Sequence, residues 1–250
     1  MPCPDWKFLK FHLIKYWRDV AGNTINSAVQ SMNDKKSVIG VLDLQGGVHE
    51  HLDHLERLGI SYRRVKEKDD FDDLAGLIIP GGESSCLCRL INIFEIKDLL
   101  IGNYRRGMKI WGTCAGTILL AKKVVGEESC LNLIDIEVER NGFGSQLDSF
   151  TGEAVIKEVD PEPIPMIFIR APKILKVAEN IRVLVKLDNY IAAAESENIL
   201  VTIFHPELTG SLAFHRYFTE KCGIKLEVKK TRNIDLSWKN DSWTRMSRIH

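Results

Sequence analysis

The sequence predicts an α/β fold of three layers with a mostly parallel central sheet. From Val38 onward, short apolar runs rich in β-branched residues alternate with segments of helical periodicity, which is typical of sheets built from βα units. The 250 residues, of which 44% are hydrophobic and 27% charged, are enough for a large core. This composition excludes disorder, collagen and coiled coil for most of the chain.

The first half of this pattern contains alternating strands and helices with clear ends. Apolar residues recur at helical spacing from Val48 to Leu58, and Gly59 ends that helix. Pro80-Gly81-Gly82 cannot continue a strand ladder, so it closes the strand before it. In order, we predict a strand over 38–44, this first helix, strands over 61–65 and 75–79, a helix over 91–105, a strand over 108–111 and a helix over 117–123.

The second half is richer in strands and closes with a helix. Leu212, Phe214 and Phe218 give residues 211–221 an apolar helical face. The predicted strands lie near 134–138, 154–157, 166–169, 182–186, 190–195 and 200–204.

This pattern sets the domain limits at residues 37–223. Residues 1–36 form an N-terminal extension that we expect to be poorly ordered or amphipathic, because residues 6–20 mix lysines with aromatic and aliphatic side chains. Residues 224–250 are polar and without periodicity, so we expect a largely unfolded tail.

Charge and hydropathy exclude several classes of function. Lysine plus arginine and aspartate plus glutamate both number 34, so no overall positive field favours a nucleic acid partner. No apolar run approaches the roughly 18 residues of a membrane span. The six cysteines include no Cys-x-x-Cys pair, which favours a reducing compartment, and we expect a cytoplasmic protein.

The segment Gly112-Thr113-Cys114-Ala115-Gly116 carries the strongest chemical signal. It lies between a predicted strand and a helix and has the arrangement of a nucleophile elbow with cysteine at the reactive position. The flanking glycines relieve crowding in such a turn, and the helix N-terminus favours the thiolate form. We therefore predict that Cys114 is a nucleophile rather than a buried structural cysteine.

Two further loops supply what a cysteine nucleophile needs. His205 ends the last predicted strand, and in an extended chain Glu207 lies on the same side, so the carboxylate can orient the imidazole. After the 75–79 strand, the backbone amide of Gly82 can face a developing oxyanion together with that of Ala115.

Taken together, these segments resemble the class I triad glutamine amidotransferases, and more closely the glutaminase subunits of pyridoxal 5'-phosphate synthase. The resemblance covers about residues 38–224 and implies a flavodoxin-like fold of that class. Fewer amidotransferases share the Arg-Asn-x-Phe-Gly-Ser-Gln and Ile-Arg-Ala-Pro segments, so these two narrow the resemblance to the synthase glutaminase subunits. The matching segments are Leu44 to Gly47, Pro80 to Ser85, Trp111 to Gly116, Glu139 to Gln146, Ser149-Phe150, Phe168 to Pro172 and Phe204 to Leu208.

The resemblance implies a reaction and a set of residue roles. Cys114 would attack the side-chain amide of L-glutamine, His205 would move protons, and Glu207 would orient His205. The ammonia would pass to a (β/α)8-barrel synthase subunit that makes pyridoxal 5'-phosphate, and activity would be low until that subunit docks. No metal or cofactor is implied. The residues implied to line the glutamine site are Gly82, Glu83, Ser84, Arg140, Ile169 and Arg170.

Three other functions are also compatible with the sequence. The first is a glutaminase for another acceptor, such as imidazole glycerol phosphate synthesis, and the second is a Cys-His hydrolase or peptidase. The third is a non-catalytic regulatory subunit of the same fold, which would have no need of an intact triad.

Several residues depart from the family pattern. Asp43 places a charge where a small residue is usual, which puts the local loop or docking geometry in doubt. Cys86 and Cys88 offer too few ligands for a metal site, so we predict helix-packing roles. His49, His51 and His54 do not all share one helical face, so we predict a solvated helix rather than a metal site.

Overall fold

The computed structural model describes residues 38–142, 149–187 and 190–226. The predictions for residues 1–36, for 143–146 and for most of the tail therefore lie outside the described residues. The helices are α1 (Val48–Arg57), α2 (Ser84–Ile93), α3 (Lys97–Arg105), α4 (Ala115–Leu120) and α5 (Ala213–Lys221), with short 3-10 turns at Lys68–Phe71 and Pro206–Leu208. The strands are β1 (Val38–Leu42), β2 (Tyr62–Val65), β3 (Leu74–Ile79), β4 (Lys109–Thr113), β5 (Ala121–Val124), β6 (Ile134–Glu139), β7 (Ser149–Ile156), β8 (Asp160–Ile169), β9 (Lys173–Val177), β10 (Arg182–Leu187), β11 (Tyr190–Glu195) and β12 (Ile199–Thr202).

Ten of these strands form one mixed sheet in the order β2-β1-β3-β4-β12-β11-β9-β6-β5, with β10 paired to β11. The strands β2, β1, β3, β4 and β12 run parallel, and the pairings around β11 and β9 are antiparallel. Strands β7 and β8 form a separate antiparallel hairpin. The prediction of an α/β fold with a mostly parallel sheet is confirmed, and the parallel part carries the loops that matter below.

Helices cover both faces of the parallel region. Trp111 of β4 contacts His51 of α1 and Phe218 of α5 through its indole ring. The next residue, Gly112, faces the opposite side and lies against Gly116 of α4, because successive strand residues point to opposite faces. A Cβ atom at Gly112 would lie 2.6 Å from the Gly116 backbone, so glycine is needed for this close approach. The molecule therefore has the three predicted layers.

The single helix predicted over residues 91–105 is wrong, since α2 ends at Ile93 and α3 begins at Lys97. Glu95 adopts φ = 52°, and the amides of Glu95 and Ile96 donate to the carbonyls of Asn92 and Ile91. This is a Schellman ending without its usual glycine, stabilised by burial of Ile96.

Other predicted boundaries also needed correction. The helix over 117–123 is α4, which begins at Ala115 and gives way to β5 at Ala121. Strand β9 was not predicted, and the two strands over 154–157 and 166–169 are the ends of a longer hairpin, Ser149–Ile156 and Asp160–Ile169.

The cysteines differ from the prediction at one pair. Cys88 on α2 forms a disulfide with Cys130, whereas we predict only a packing role for Cys88 and a reducing compartment from the cysteine pattern, which a disulfide does not support. Cys86 is exposed and free. The unusual Asp43 is partly neutralised, because its carboxylate accepts a hydrogen bond from Arg64 of β2 at 3.1 Å. Within the described ranges, no helix is both long and apolar enough to cross a membrane.

Candidate active site

Cys114 occupies the tight turn that the sequence predicts between β4 and α4. Its backbone has φ = 46° and ψ = −104°, a conformation that costs free energy in a non-glycine residue. The turn is fixed because the Cys114 amide donates to the Thr202 carbonyl of β12 at 2.8 Å. Gly116 permits it, since a Cβ atom there would lie 2.2 Å from the Ile79 carbonyl oxygen. The thiol is largely buried and lies 3.9 Å from the Ile169 carbonyl oxygen.

His205 and Glu207 form the predicted pair just beyond β12, but Glu207 lies in the 3-10 turn Pro206–Leu208 rather than in the extended chain that we predict from the sequence. His205 Nδ1 lies 2.7 Å from Glu207 Oε1, so the ring donates from Nδ1 to the carboxylate. The His205 amide donates to the Ile167 carbonyl of β8 at 2.8 Å, and Pro206 begins the turn that brings Glu207 back under the ring. The Glu207 side chain is fully buried.

Electrostatics favour an imidazolium at His205. Burial alone would lower the pKa of His205, but the Glu207 carboxylate and the Cys114 thiol outweigh it and raise that pKa well above the usual value. Burial also opposes ionisation of Glu207, but His51 and His205 together lower the pKa of its carboxyl. The pair is therefore suited to hold and release a proton beside the sulfur.

Gly81 shows how closely the nucleophile and the histidine approach. A Cβ atom placed on Gly81 would lie 2.4 Å from His205 Cε1 and 3.3 Å from Cys114 Cβ. The same loop touches the loop after β1, because a Cβ atom at Gly46 would overlap the Gly81 carbonyl. The loops that follow β1, β3, β4 and β12 thus meet at the carboxyl edge of the parallel sheet, the usual place for a site in such folds.

The two predicted oxyanion donors belong to the loop after β3 and to the start of α4. Ala115 is the first residue of α4, where helix geometry leaves the amide without an intrahelical acceptor. Gly82 is exposed and has φ = 152°, which favours glycine. The Gln45 side chain accepts from the amide of Glu83 at 3.2 Å and so fixes the next peptide of this loop.

Glu83 and Arg140, which the resemblance places in one site, form a direct ion pair that the sequence did not indicate. The Glu83 carboxylate caps α2 by accepting from the amides of Ser85 and Cys86, and it forms an ion pair with Arg140. The capping amides, chiefly that of Cys86, and the Arg140 guanidinium lower the pKa of Glu83. Arg140 also donates to the Ser85 hydroxyl at 2.8 Å and to Glu127 at 3.2 Å.

The remaining predicted substrate residues lie on the neighbouring loops. Ser84 is buried at the start of α2. Ile169 ends β8 with its carbonyl against the Cys114 thiol, and the exposed Arg170 follows with φ = 43°.

A group of buried histidines next to Glu207 was missed. We predicted a solvated helix for His49, His51 and His54, but only His49 is exposed, whereas His51 and His54 are buried together with His215 of α5. The signal in the sequence was the spacing of three between His51 and His54, which places them on one face of a helix. No group of three or more potential metal ligands was found among the residues that the structure describes.

An α/β fold with cysteine, histidine and glutamate meeting at the carboxyl edge of its sheet has the architecture of a triad amidotransferase. Comparison with known proteins agrees: the chain belongs to the SNO glutamine amidotransferase family, which it matches over residues 41–224.

Curated relatives are similar over most of the chain. A protein of Syntrophus aciditrophicus named pyridoxal 5'-phosphate synthase subunit PdxT is 54% identical over 216 residues, which are 86% of this chain and 96% of the relative. A protein of the same name from Clostridium botulinum is 50% identical over 185 residues, 73% of this chain and 96% of the relative. The first alignment therefore includes residues outside 41–224.

Solved structures agree on the fold. A structure described as a glutamine amidotransferase is 38% identical, has a TM-score of 0.71 and covers 74% of this chain and 99% of its own. PurLQS from Thermotoga maritima is 17% identical with a TM-score of 0.55 over 74% of this chain and 99% of its own, and shares the fold alone. The expected class I amidotransferase fold is confirmed.

Proposed function

We propose that this chain hydrolyses L-glutamine to L-glutamate and ammonia at Cys114, His205 and Glu207, and delivers the ammonia to a pyridoxal 5'-phosphate synthase subunit. The observation that carries the chemistry is the arrangement around Gly81, where His205 lies against Cys114 on one side and holds Glu207 at 2.7 Å on the other. The two named relatives, at 54% and 50% identity, support the assignment of the acceptor.

In the first half of the reaction, the Cys114 thiolate attacks the side-chain carbonyl carbon of glutamine. The oxyanion that forms accepts hydrogen bonds from the amides of Gly82 and Ala115. The His205 imidazolium gives its proton to the leaving nitrogen, so the carbon–nitrogen bond breaks, ammonia departs and a thioester remains on Cys114.

In the second half, a water molecule attacks the thioester carbonyl. Neutral His205 takes a proton from this water, the carbon–sulfur bond breaks, and glutamate leaves while the thiolate is restored. Glu207 holds the Nδ1–H of His205, which keeps Nε2 available for both proton transfers.

The α-amino and α-carboxylate groups of glutamine need opposite charges at the mouth of the site. Glu83 supplies a carboxylate for the ammonium group, and Arg140 and Arg170 supply donors for the carboxylate. Gly82, Ser84 and Ile169 complete the lining. Since Glu83 and Arg140 pair with each other in the structure, the substrate replaces this ion pair with two of its own.

Delivery of ammonia requires a docked acceptor. In this proposal the acceptor is a (β/α)8-barrel subunit that contacts the loop over residues 44–47 and helix α1, and the reaction takes place in the cytoplasm. The exposed Gly82 and Glu83 lie next to that loop, so docking can reach the site through them.

The test is glutamate release by the purified full chain, alone and with a pyridoxal 5'-phosphate synthase subunit, with Cys114→Ala as the blank. We expect release that rises on addition of the synthase and is absent in the blank. If the synthase subunit of another pathway activates the chain instead, the acceptor is not pyridoxal 5'-phosphate synthase. Turnover by Cys114→Ala would reject Cys114 as the nucleophile.

Two further variants test the other triad members. His205→Asn should lose about 10²-fold or more of the rate, because it removes the acid and base. Glu207→Gln should lose less than that, because it changes only the orientation of the ring. A larger loss of rate for Glu207→Gln than for His205→Asn would show that the roles of His205 and Glu207 are wrongly assigned.

A further inference from the structure

The two oxygens of the Glu207 carboxylate have different surroundings. Oε1 accepts the hydrogen bond from His205, whereas Oε2 is fully buried and has no partner at hydrogen-bond distance among the described residues. Nε2 of His51 lies 3.5 Å from Oε2. A buried carboxylate oxygen without a donor is costly, so the state of His51 decides how firmly Glu207 is held.

His51 is itself held in place by its neighbours. Its Nδ1 lies 2.8 Å from Nε2 of His215, and its Nε2 lies 3.4 Å from the Thr113 hydroxyl. The edge of its ring packs against the Trp111 indole at a centroid distance of 5.5 Å. The residue is completely buried, and its Nε2 lies between the Thr113 hydroxyl and Oε2 of Glu207.

The contacts continue from His215 into a row of three imidazoles. Nδ1 of His215 lies 3.0 Å from Nδ1 of His54, and Nε2 of His54 lies 3.1 Å from the carbonyl oxygen of Thr209. The row has four contacts: Glu207 to His51, His51 to His215, His215 to His54, and His54 to Thr209.

This row has one N–H group too few for its four contacts. Each of the four contacts needs one N–H, and both ends, a carboxylate and a carbonyl, can only accept. Burial is the main cause that lowers the pKa of His51 and His215, and it lowers the pKa of His54 to about 4, so at neutral pH the three rings supply three N–H groups. The contact between His51 and Glu207 is the longest of the four at 3.5 Å, whereas the contact between His54 and Thr209 is 3.1 Å. A negative carboxylate is a stronger acceptor than a neutral carbonyl, and on that ground we place the N–H groups toward Glu207 and leave the contact at Thr209 open.

We propose that His51 is a positioning residue that donates its Nε2–H to Oε2 of Glu207, and that His215 and His54 hold it in the tautomer this requires. The inference rests on the proposed role of Glu207 in orienting His205. It adds to the triad a fourth side chain, and behind it two more, none of which touches the substrate.

The charged groups around this row are few. Glu207 and His205 lie at one end, and Glu50, Asp53 and Arg57 of α1 act on the row from its own helix. Without the His51 donor, Glu207 is held from one side only, so its carboxylate can turn out of line with Nδ1 of His205 and stabilise the imidazolium less. The Cys114 sulfur beside that imidazolium then reacts more slowly at a given pH.

Three variants test the proposal in the full chain. His51→Leu removes the donor with little change of volume, and His51→Gln places an amide N–H close to the position of Nε2. His49→Gln is the matched control, because His49 is an exposed histidine of the same helix. The readout is the rate at which iodoacetamide alkylates Cys114, followed by mass spectrometry of its peptide as a function of pH.

We expect the pH profile of Cys114 alkylation to shift upward by about one unit in His51→Leu, the size of effect expected when a hydrogen bond to a charged group is lost. In His51→Gln, the pH profile of alkylation should return most of the way to that of the unaltered chain. In His49→Gln, the profile should not shift. In glutamine hydrolysis with the synthase present, His51→Leu should lower kcat about tenfold with little change in KM, as expected for the loss of an orienting contact. A purely structural role would lower the folded fraction but leave the pH midpoint unchanged, and that result would overturn the proposal.

The alkylation readout needs no glutaminase activity, so failure of the proposed function and failure of this inference are distinguishable. If His51→Leu does not fold, the unaltered protein still decides the matter. Long-range proton–nitrogen NMR correlations of its imidazole rings should find the His51 proton on Nε2. A proton on Nδ1 instead would leave Glu207 without a donor and refute the assignment.

Discussion

The close approach of Gly81 to His205 predicts that Gly81→Ala folds but hydrolyses glutamine much more slowly. The added methyl carbon would lie 2.4 Å from Cε1 and 3.1 Å from Nδ1 of His205. Carbon atoms in van der Waals contact are about 3.5–4.0 Å apart, so the ring must move by about 1 Å. That movement breaks either its contact with Cys114 or its 2.7 Å hydrogen bond to Glu207.

A displacement of about 1 Å at a reacting group costs on the order of 10²-fold in rate. We therefore expect Gly81→Ala to lower kcat for glutamine hydrolysis, measured with the synthase subunit present, by about 10²-fold. KM should change less, because Gly81 is buried behind the reacting groups rather than among the charged groups of the mouth.

Two other glycines provide graded controls. A Cβ atom at Gly47 would lie 3.0 Å from Glu207 Oε1, so Gly47→Ala should be affected less than Gly81→Ala. At Gly152 in β7 the nearest atom, on Phe168, is 3.9 Å away, and Gly152→Ala should keep its full rate. A folded Gly81→Ala protein with an unchanged kcat would refute the geometry described here for Cys114 and His205.

Three further predictions concern the substrate, the disulfide and pH. Glu83→Gln should raise KM for glutamine more than it lowers kcat in steady-state assays, because it removes the partner of the substrate ammonium, and an unchanged KM would contradict that role. Without reductant, Cys130→Ser should lower the free energy of unfolding by about 4 kcal/mol, because the disulfide no longer restricts the entropy of the unfolded chain over a loop of this length. With reductant present, the substitution should change the free energy of unfolding little. An equal loss in both conditions would show that the disulfide does not form. His54 takes up its proton near pH 4 when folded but near 6.5 when unfolded, so its contribution to stability is lost as the pH falls through this window, by up to about 1.4 kcal/mol per pH unit. Urea unfolding at several pH values between these limits should therefore show a shallower pH dependence for His54→Gln than for the unaltered chain, and identical slopes would count against a neutral, buried His54.

The fold and the position of the triad were predictable because they follow from local patterns. An apolar run that ends in a glycine-rich loop marks both the strand and its carboxyl end, and parallel strands bring such ends to one edge. The glycines on both sides of Cys114 are visible in the sequence and indicate a tight turn, although the contact that requires Gly116, with the Ile79 backbone, is seen only in the structure. His205 and Glu207 are two residues apart, so no long-range information is needed to pair them.

Features that depend on distant parts of the chain were not predictable in this way. His51 and His215 are 164 residues apart, and only the packing of α1 and α5 on the Trp111 face of the sheet makes them neighbours. The ion pair of Glu83 with Arg140 and the Cys88–Cys130 disulfide likewise join segments without any shared local pattern. The break between α2 and α3 was missed for a local reason, because Glu95 fills the position that glycine usually takes.

The two sides of the candidate site differ in how firmly they are held. On the inner side, Glu207 lies fully buried between His205, His51 and the backbone of Gly47, so its carboxylate has little freedom. On the outer side, Gly82, Glu83 and Arg170 are exposed and belong to loops. The 44–47 loop and α1, which we propose the synthase subunit contacts, carry Gly47 and His51 of this inner side, but the His51 side chain is completely buried. If the synthase subunit activates this chain as we propose, we therefore expect it to act mainly on the outer loops, by turning the Gly82 amide or opening the Glu83 ion pair.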